Sequence, residues 1–196
     1  ASDIIEVLLE EIGAKYSIRN INLADGDQQT PEFLAINPTG RVPVLIDDGL
    51  VVFETAAIIF YLLEKHPGSA LAPGPGTPER AAFLQWLMYM SNTLQTAYSR
   101  MYYPERFTSR QDQADGVRTQ VDLDLAKIWQ IVDDRLAASG PYMLGEQFSA
   151  LDIYVLVMVT WHQPMDMIAE HFPNVQGCFD LVCERPSVVK AMAGII

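Results

Sequence analysis

The sequence predicts a small α/β module followed by an all-helical domain. Three observations carry this. Residues 42–53 read as a β-hairpin set between helical segments, residues 67–78 interrupt the pattern with four prolines and three glycines, and beyond them the apolar residues recur only at helical spacing. We place the α/β module at 1–66, the linker at 67–78 and the all-α domain at 79–196.

The first helix interleaves Ile4, Ile5, Val7, Leu8, Leu9 and Ile12 with Glu6, Glu10 and Glu11. Asp3 with Glu6 three residues on gives a capping-box-like start, with Ser2 beside it as a cap residue, and Gly13 suits the left-handed position that closes a helix. Residues 16–23 alternate as a strand would, and residues 31–35 form a short helical turn that Asn37-Pro38-Thr39-Gly40 ends. Residues 42–46 and 50–53 are apolar runs joined by Asp47-Asp48-Gly49, strong hairpin chemistry because the turn needs positive φ. Ile58, Ile59, Leu62 and Leu63 mark a helix over 54–65 that stops before His66-Pro67-Gly68.

In the second half, Phe83, Leu84, Leu87 and Met88 mark one helix, and Val121, Leu125, Ile128, Trp129, Val132 and Leu136 mark another. Ser149-Ala150-Leu151-Asp152 is a second capping box, with Phe148 and Ile153 placed as a hydrophobic staple. The helix over 151–161 is apolar on every side and belongs at the centre of its domain.

A formal net charge of −12 and a pI near 4.5 argue against a nucleic-acid partner, which needs clustered Lys and Arg against phosphate. The longest apolar run, 153–161, is far short of the roughly 20 residues that span a bilayer, so no membrane segment is expected. Cys178 and Cys183 point to different helix faces and lack ligating companions; they read as buried apolar thiols, not a disulfide or a metal site. With no secretory leader in view, a cytoplasmic location is the expectation.

Asn37-Pro38-Thr39-Gly40-Arg41-Val42-Pro43-Val44-Leu45, Glu54-Thr55-Ala56-Ala57-Ile58 and Phe148-Ser149-Ala150-Leu151-Asp152 occur in order and at compatible spacing. Together they resemble the cytosolic, bacterial-type glutathione S-transferase family, and the resemblance runs on through Glu184-Arg185-Pro186-Ser187-Val188. It implies a thioredoxin-like N-terminal domain, glutathione as co-substrate, no metal, a hydrophobic electrophile as acceptor, and a homodimer. The family fold begins with a central strand whose following loop carries the Tyr, Ser or Cys that acts on the thiol. The resemblance therefore places about ten residues ahead of Ala1, with the thiol-activating residue just upstream and Ser2 the nearest hydroxyl within the chain.

The resemblance assigns Val42 and Pro43 to the cysteinyl part of glutathione through a cis bond between them. Glu54 and Thr55 go to its γ-glutamyl group, because a helix N-terminus receives a carboxylate while an acid takes the ammonium. Arg41 is the candidate for the glycyl carboxylate. The acceptor is assigned to Tyr98, Met101 and Tyr102, with Tyr103 nearby, whereas His66, His162 and His171 read as structural. An isomerase, dehalogenase, peroxidase or disulfide reductase that uses glutathione would share these motifs, as would a non-catalytic interaction module.

Overall fold

A computed structural model describes residues 1–195. The first helix, α1 (Ser2–Ile12), buries Ile4, Ile5, Val7, Leu8 and Leu9, and Gly13 closes it at φ 70, a left-handed conformation that costs a side chain-bearing residue energy. Its start corrects the sequence reading. Ala1 occupies the N-cap and no side chain bonds the first amides, so Asp3 and Ser2 lie inside the first turn, where neither can cap.

Residues 16–23 are a second correction, since they carry no strand. Tyr16, Ile18, Val44 and Leu45 all line a cavity of about 870 Å³. A ladder needs backbones about 4.8 Å apart, so alternation here has nothing to pair with. A short helix α2 (Pro31–Ile36) follows, capped by the Thr30 hydroxyl on the Phe33 amide.

The hairpin forms as expected. Strands β1 (Val44–Asp47) and β2 (Leu50–Phe53) pair antiparallel from Val44 opposite Phe53 to Asp47 opposite Leu50. Asp48 and Gly49 both hold positive φ, the two-residue turn that matches strand twist. Helix α3 (Thr55–Lys65) packs on the hairpin and donates a Tyr61 hydroxyl to Asp47 at 2.7 Å.

The helical half comprises α4 (Pro78–Tyr89), a π-helical segment over Met90–Leu94, α5 (Gln95–Tyr102), α6 (Ala114–Ser139), α7 (Ala150–Thr160), α8 (Asp166–His171), α9 (Pro173–Cys183) and α10 (Pro186–Ala191). Helix α7 is buried from Ala150 to Val159, and its capping box is fully made: Asp152 accepts the Ser149 amide at 2.8 Å while the Ser149 hydroxyl receives the Leu151 amide. Phe148, ahead of it, packs edge-on to Tyr142 and lies under the Arg185 guanidinium at 3.7 Å. Cys178 is buried against Asp152, whereas Cys183 is only half-buried.

Helix α1 joins the halves. It packs on α3, α7 and α10, and Glu11 accepts from Nε and Nη2 of Arg185, at 2.6 and 2.7 Å. The fold is a thioredoxin-like N-terminal part with a two-stranded sheet among the described residues, joined to a helical C-terminal part through one continuous apolar core.

Candidate functional site

The hairpin register decides what comes together. Because Val44 faces Phe53, the residues that continue each strand at its open end are Pro43 and Glu54, so a two-residue turn brings segments 41–43 and 54–55 side by side. The Val42–Pro43 bond is cis. Among the described residues strand β1 pairs only with β2, and the large cavity is lined by β1 together with Ser2, Val42 and Pro43.

The loop into β1 is braced from below. Asn37, 1% exposed, donates to the Arg41 carbonyl at 2.7 Å and accepts the Thr39 amide at 3.0 Å and hydroxyl at 2.8 Å. Gly40 holds φ 61 with the Gln29 amide bonded to its carbonyl, and a Cβ there would stand 2.4 Å from that amide nitrogen. Arg41 itself is exposed.

Glu54 is the N-cap of α3 at φ 72 and ψ 117, a positive φ that a residue with a side chain holds only at a cost of about 1–3 kcal/mol. Its own side chain does not cap, and its carbonyl accepts first from Ile58 at 2.9 Å. The amides of Thr55, Ala56 and Ala57 thus precede any intrahelical bond, at the positive end of the helix. Thr55 is 4% exposed, so this positive helix end is largely shielded from water, with an exposed carboxylate beside it.

Behind it lies a group that the sequence reading missed. Tyr154, fully buried on α7, donates its hydroxyl to the side-chain amide oxygen Oε1 of Gln95 just past the π segment, and its pKa is pushed up by burial, with the Glu54 carboxylate adding to the shift. The signal was a phenol within an otherwise apolar helix, because a buried hydroxyl must find a partner.

The acceptor assignment is corrected in part. Tyr98 is fully buried, not on a pocket wall, because Trp129 of α6 and the turn after α7 close over it. The Trp129 indole donates to its hydroxyl at 2.9 Å, and that hydroxyl lies 3.0 Å from Nδ1 of His162. Tyr102, 45% exposed, stacks on Tyr98 and donates to the Trp161 carbonyl, while Met101 is half-buried. Glu54, Thr55, Tyr98, Met101 and Tyr102 do not line the large cavity. Among the described residues no metal-binding group of three or more His, Cys, Asp or Glu side chains forms, and no helix is long and apolar enough to cross a membrane.

Residues 2–64 match the family described as Glutathione S-transferase, N-terminal domain, and residues 92–193 match Glutathione S-transferase, C-terminal domain. The chain is 30% identical to a disulfide-bond oxidoreductase, YfcG, of Escherichia coli over 96% of its length and 88% of the relative's. It is 28% identical to glutathione S-transferase D7 of Drosophila melanogaster, over 90% of this chain and 76% of the relative. A glutathione transferase homologue from Sulfitobacter, solved with bound glutathione, superposes with a TM-score of 0.87 at 28% identity over 98% of this chain and 93% of that one.

Proposed function

Because the chain belongs to the glutathione S-transferase family, we propose that it binds glutathione and delivers its thiolate to an electrophilic small molecule. The observation that carries this reading is the hairpin register, which seats Val42–Pro43 beside Glu54–Thr55. Glutathione is an extended tripeptide, so its cysteinyl backbone can add along the Val42 edge. Its γ-glutamyl carboxylate goes to the free amides and hydroxyl at Thr55, its ammonium to Glu54, and Arg41 is available to the glycyl carboxylate. In transfer, the sulfur's electron pair forms the S–C bond, the leaving group departs with the old bonding pair or the pair moves onto an adjacent oxygen, and the thiol proton goes to solvent.

The acceptor lies against Met101 and Tyr102 in this reading, the protein is a cytoplasmic homodimer, and the domains divide at residues 66 and 79. The likeness to a disulfide-bond oxidoreductase supports a second reading, reduction of a disulfide by the same bound thiolate. Retention on immobilised glutathione, followed by calorimetry, tests the proposal. Thr55→Val is expected to weaken glutathione by about tenfold, the loss of one bond to a charged group. A protein that passes through the matrix unretained, with no heat of binding, overturns it. Conjugation of an alkyl halide separates transfer from reduction of a mixed disulfide.

A further inference from the structure

Three glycines follow an aspartate along the chain, Gly26, Gly49 and Gly116. At such a pair the glycine nitrogen can attack the side-chain carboxyl carbon of the aspartate, because no Cβ on the glycine obstructs the approach. The structure tells the three apart. Gly26 donates its amide to the Leu23 carbonyl at 3.3 Å and the Asp25 carboxylate accepts the Asn22 side-chain amide at 2.6 Å, so nucleophile and electrophile are both engaged. Asp115 and Gly116 lie in the first turn of α6, where Asp115 faces Arg118 at 3.6 Å and its carbonyl accepts the Thr119 hydroxyl at 3.0 Å. Closing a ring there would undo the start of that helix.

Asp48 and Gly49 are held by none of this. They form the hairpin turn at positive φ, Asp48 is exposed, and among the described residues neither its carboxylate nor the Gly49 amide has a hydrogen-bond or ion-pair partner. The Lys65 ammonium is taken by Asp47, and nothing stands within 4 Å of where a Cβ on Gly49 would be. The Asp47–Leu50 pair beside the turn is the last of the ladder, and Ile46 and Leu50 are 58% and 50% exposed, so the turn can open without disturbing the core.

We propose that Asp48–Gly49 is a site of self-modification, at which the chain converts aspartate to isoaspartate. The Gly49 nitrogen bonds to Cγ of Asp48, the amide proton leaves with the carboxyl hydroxyl as water, and a succinimide ring closes. Water then adds at either ring carbonyl. Breaking the bond from nitrogen to the main-chain carbonyl carbon leaves the chain running through Cβ and Cγ, whereas breaking the bond to Cγ restores aspartate. No oxidant or cofactor is consumed. The functional consequence rests on the glutathione reading: an added backbone methylene no longer fits a two-residue turn, so the alignment that sets Pro43 beside Glu54 is lost.

The test ages the full chain for weeks at neutral pH and maps its peptides by electron-transfer fragmentation, which separates isoaspartate from aspartate at equal mass. Labelled-methyl uptake from a methyltransferase specific for isoaspartate gives the total. Isoaspartate is expected at position 48 ahead of 25 and 115. Asp48→Asn should accumulate it faster, because an uncharged amide accepts the nucleophile more readily than a carboxylate. Asp48→Gly, which keeps a turn of positive φ, should take up no label beyond what the other sites give. By calorimetry the aged, modified protein binds glutathione about tenfold more weakly, the loss of one bond to a charged group, while aged Asp48→Gly binds as the fresh protein does. Isoaspartate absent from position 48, or no more frequent there than at 25 and 115, overturns the site. A modified turn with unchanged affinity overturns the coupling to glutathione. Fresh protein with no heat of binding overturns the glutathione reading instead, and the peptide map then decides the modification alone.

Discussion

Asp152 shows how much one buried side chain can organise. It is fully buried, and its carboxylate accepts the Met143 amide at 2.7 Å, the Ser149 amide at 2.8 Å and the Ser149 hydroxyl at 2.9 Å. Burial pushes its pKa up to about 6 against those bonds, so at neutral pH the ionised form receives them. Asp152→Ala orphans two buried amides at about 1–3 kcal/mol each, and a loss of about 2–5 kcal/mol in urea unfolding is expected. Gly40 makes the same kind of demand through backbone shape. Gly40→Ala must hold φ 61 and push the Gln29 amide off the Gly40 carbonyl, so we expect about 1–2 kcal/mol lost and glutathione weakened with it, read by unfolding and calorimetry on one sample. A variant as stable as the parent would mean that Gln29 relaxes freely and the loop into β1 is softer than its hydrogen bonds imply.

Between elements, charge decides where α1 and α10 meet. Burial works against the charge on Glu11, but the hydrogen bonds from Arg185 and Ser187 and the Arg185 charge outweigh it and hold its carboxyl below the usual glutamate range. A folded pKa below the unfolded value near 4.5 means that the folded state binds fewer protons, so this contribution is present above that value and is lost as pH falls through the folded one. Glu11→Gln should therefore flatten the acid limb. Below about pH 4.5 wild type loses urea stability faster than the variant, and parallel curves would show that the pair contributes nothing. Elements whose signal is local were legible in the sequence: the hairpin turn, the Ser149–Asp152 box and the apolar α7 all form where their chemistry put them. Elements that need a distant partner were not. Residues 16–23 alternate correctly yet have no strand to join, and Asp3 and Glu6 have capping-box spacing in a helix that starts two residues too early for them. Tyr98 belongs to the same class of error, because periodicity shows that an aromatic stripe has a face but not that Trp129 will cover it.

Across the whole molecule, the residues proposed to hold glutathione sit in the N-terminal part while all three tryptophans, Trp86, Trp129 and Trp161, sit in the helical part. Whether these parts behave as one body depends on α1, which belongs to the first by sequence and packs on α7 and α10 of the second. Its Ile4, Val7 and Leu8 are fully buried in the core shared with α7, so separating the halves would expose that face at about 25 cal/mol per Å² of apolar surface. That cost favours a single cooperative unfolding in which tryptophan fluorescence and far-UV circular dichroism report one midpoint. A ligand held only by the hairpin and the α3 N-terminus must then stabilise the distant tryptophans equally. At a concentration one hundred times its Kd, glutathione contributes about 2.7 kcal/mol, and for a chain of this length that raises both midpoints by about 5–10 °C. A shift in circular dichroism with the tryptophan midpoint unmoved would show that α1 lets go first and that the two parts unfold separately. Coincident shifts that fall together to about half in Thr55→Val, as a tenfold weaker Kd requires at the same glutathione concentration, would tie the whole core to the one helix end where the γ-glutamyl carboxylate is proposed to bind.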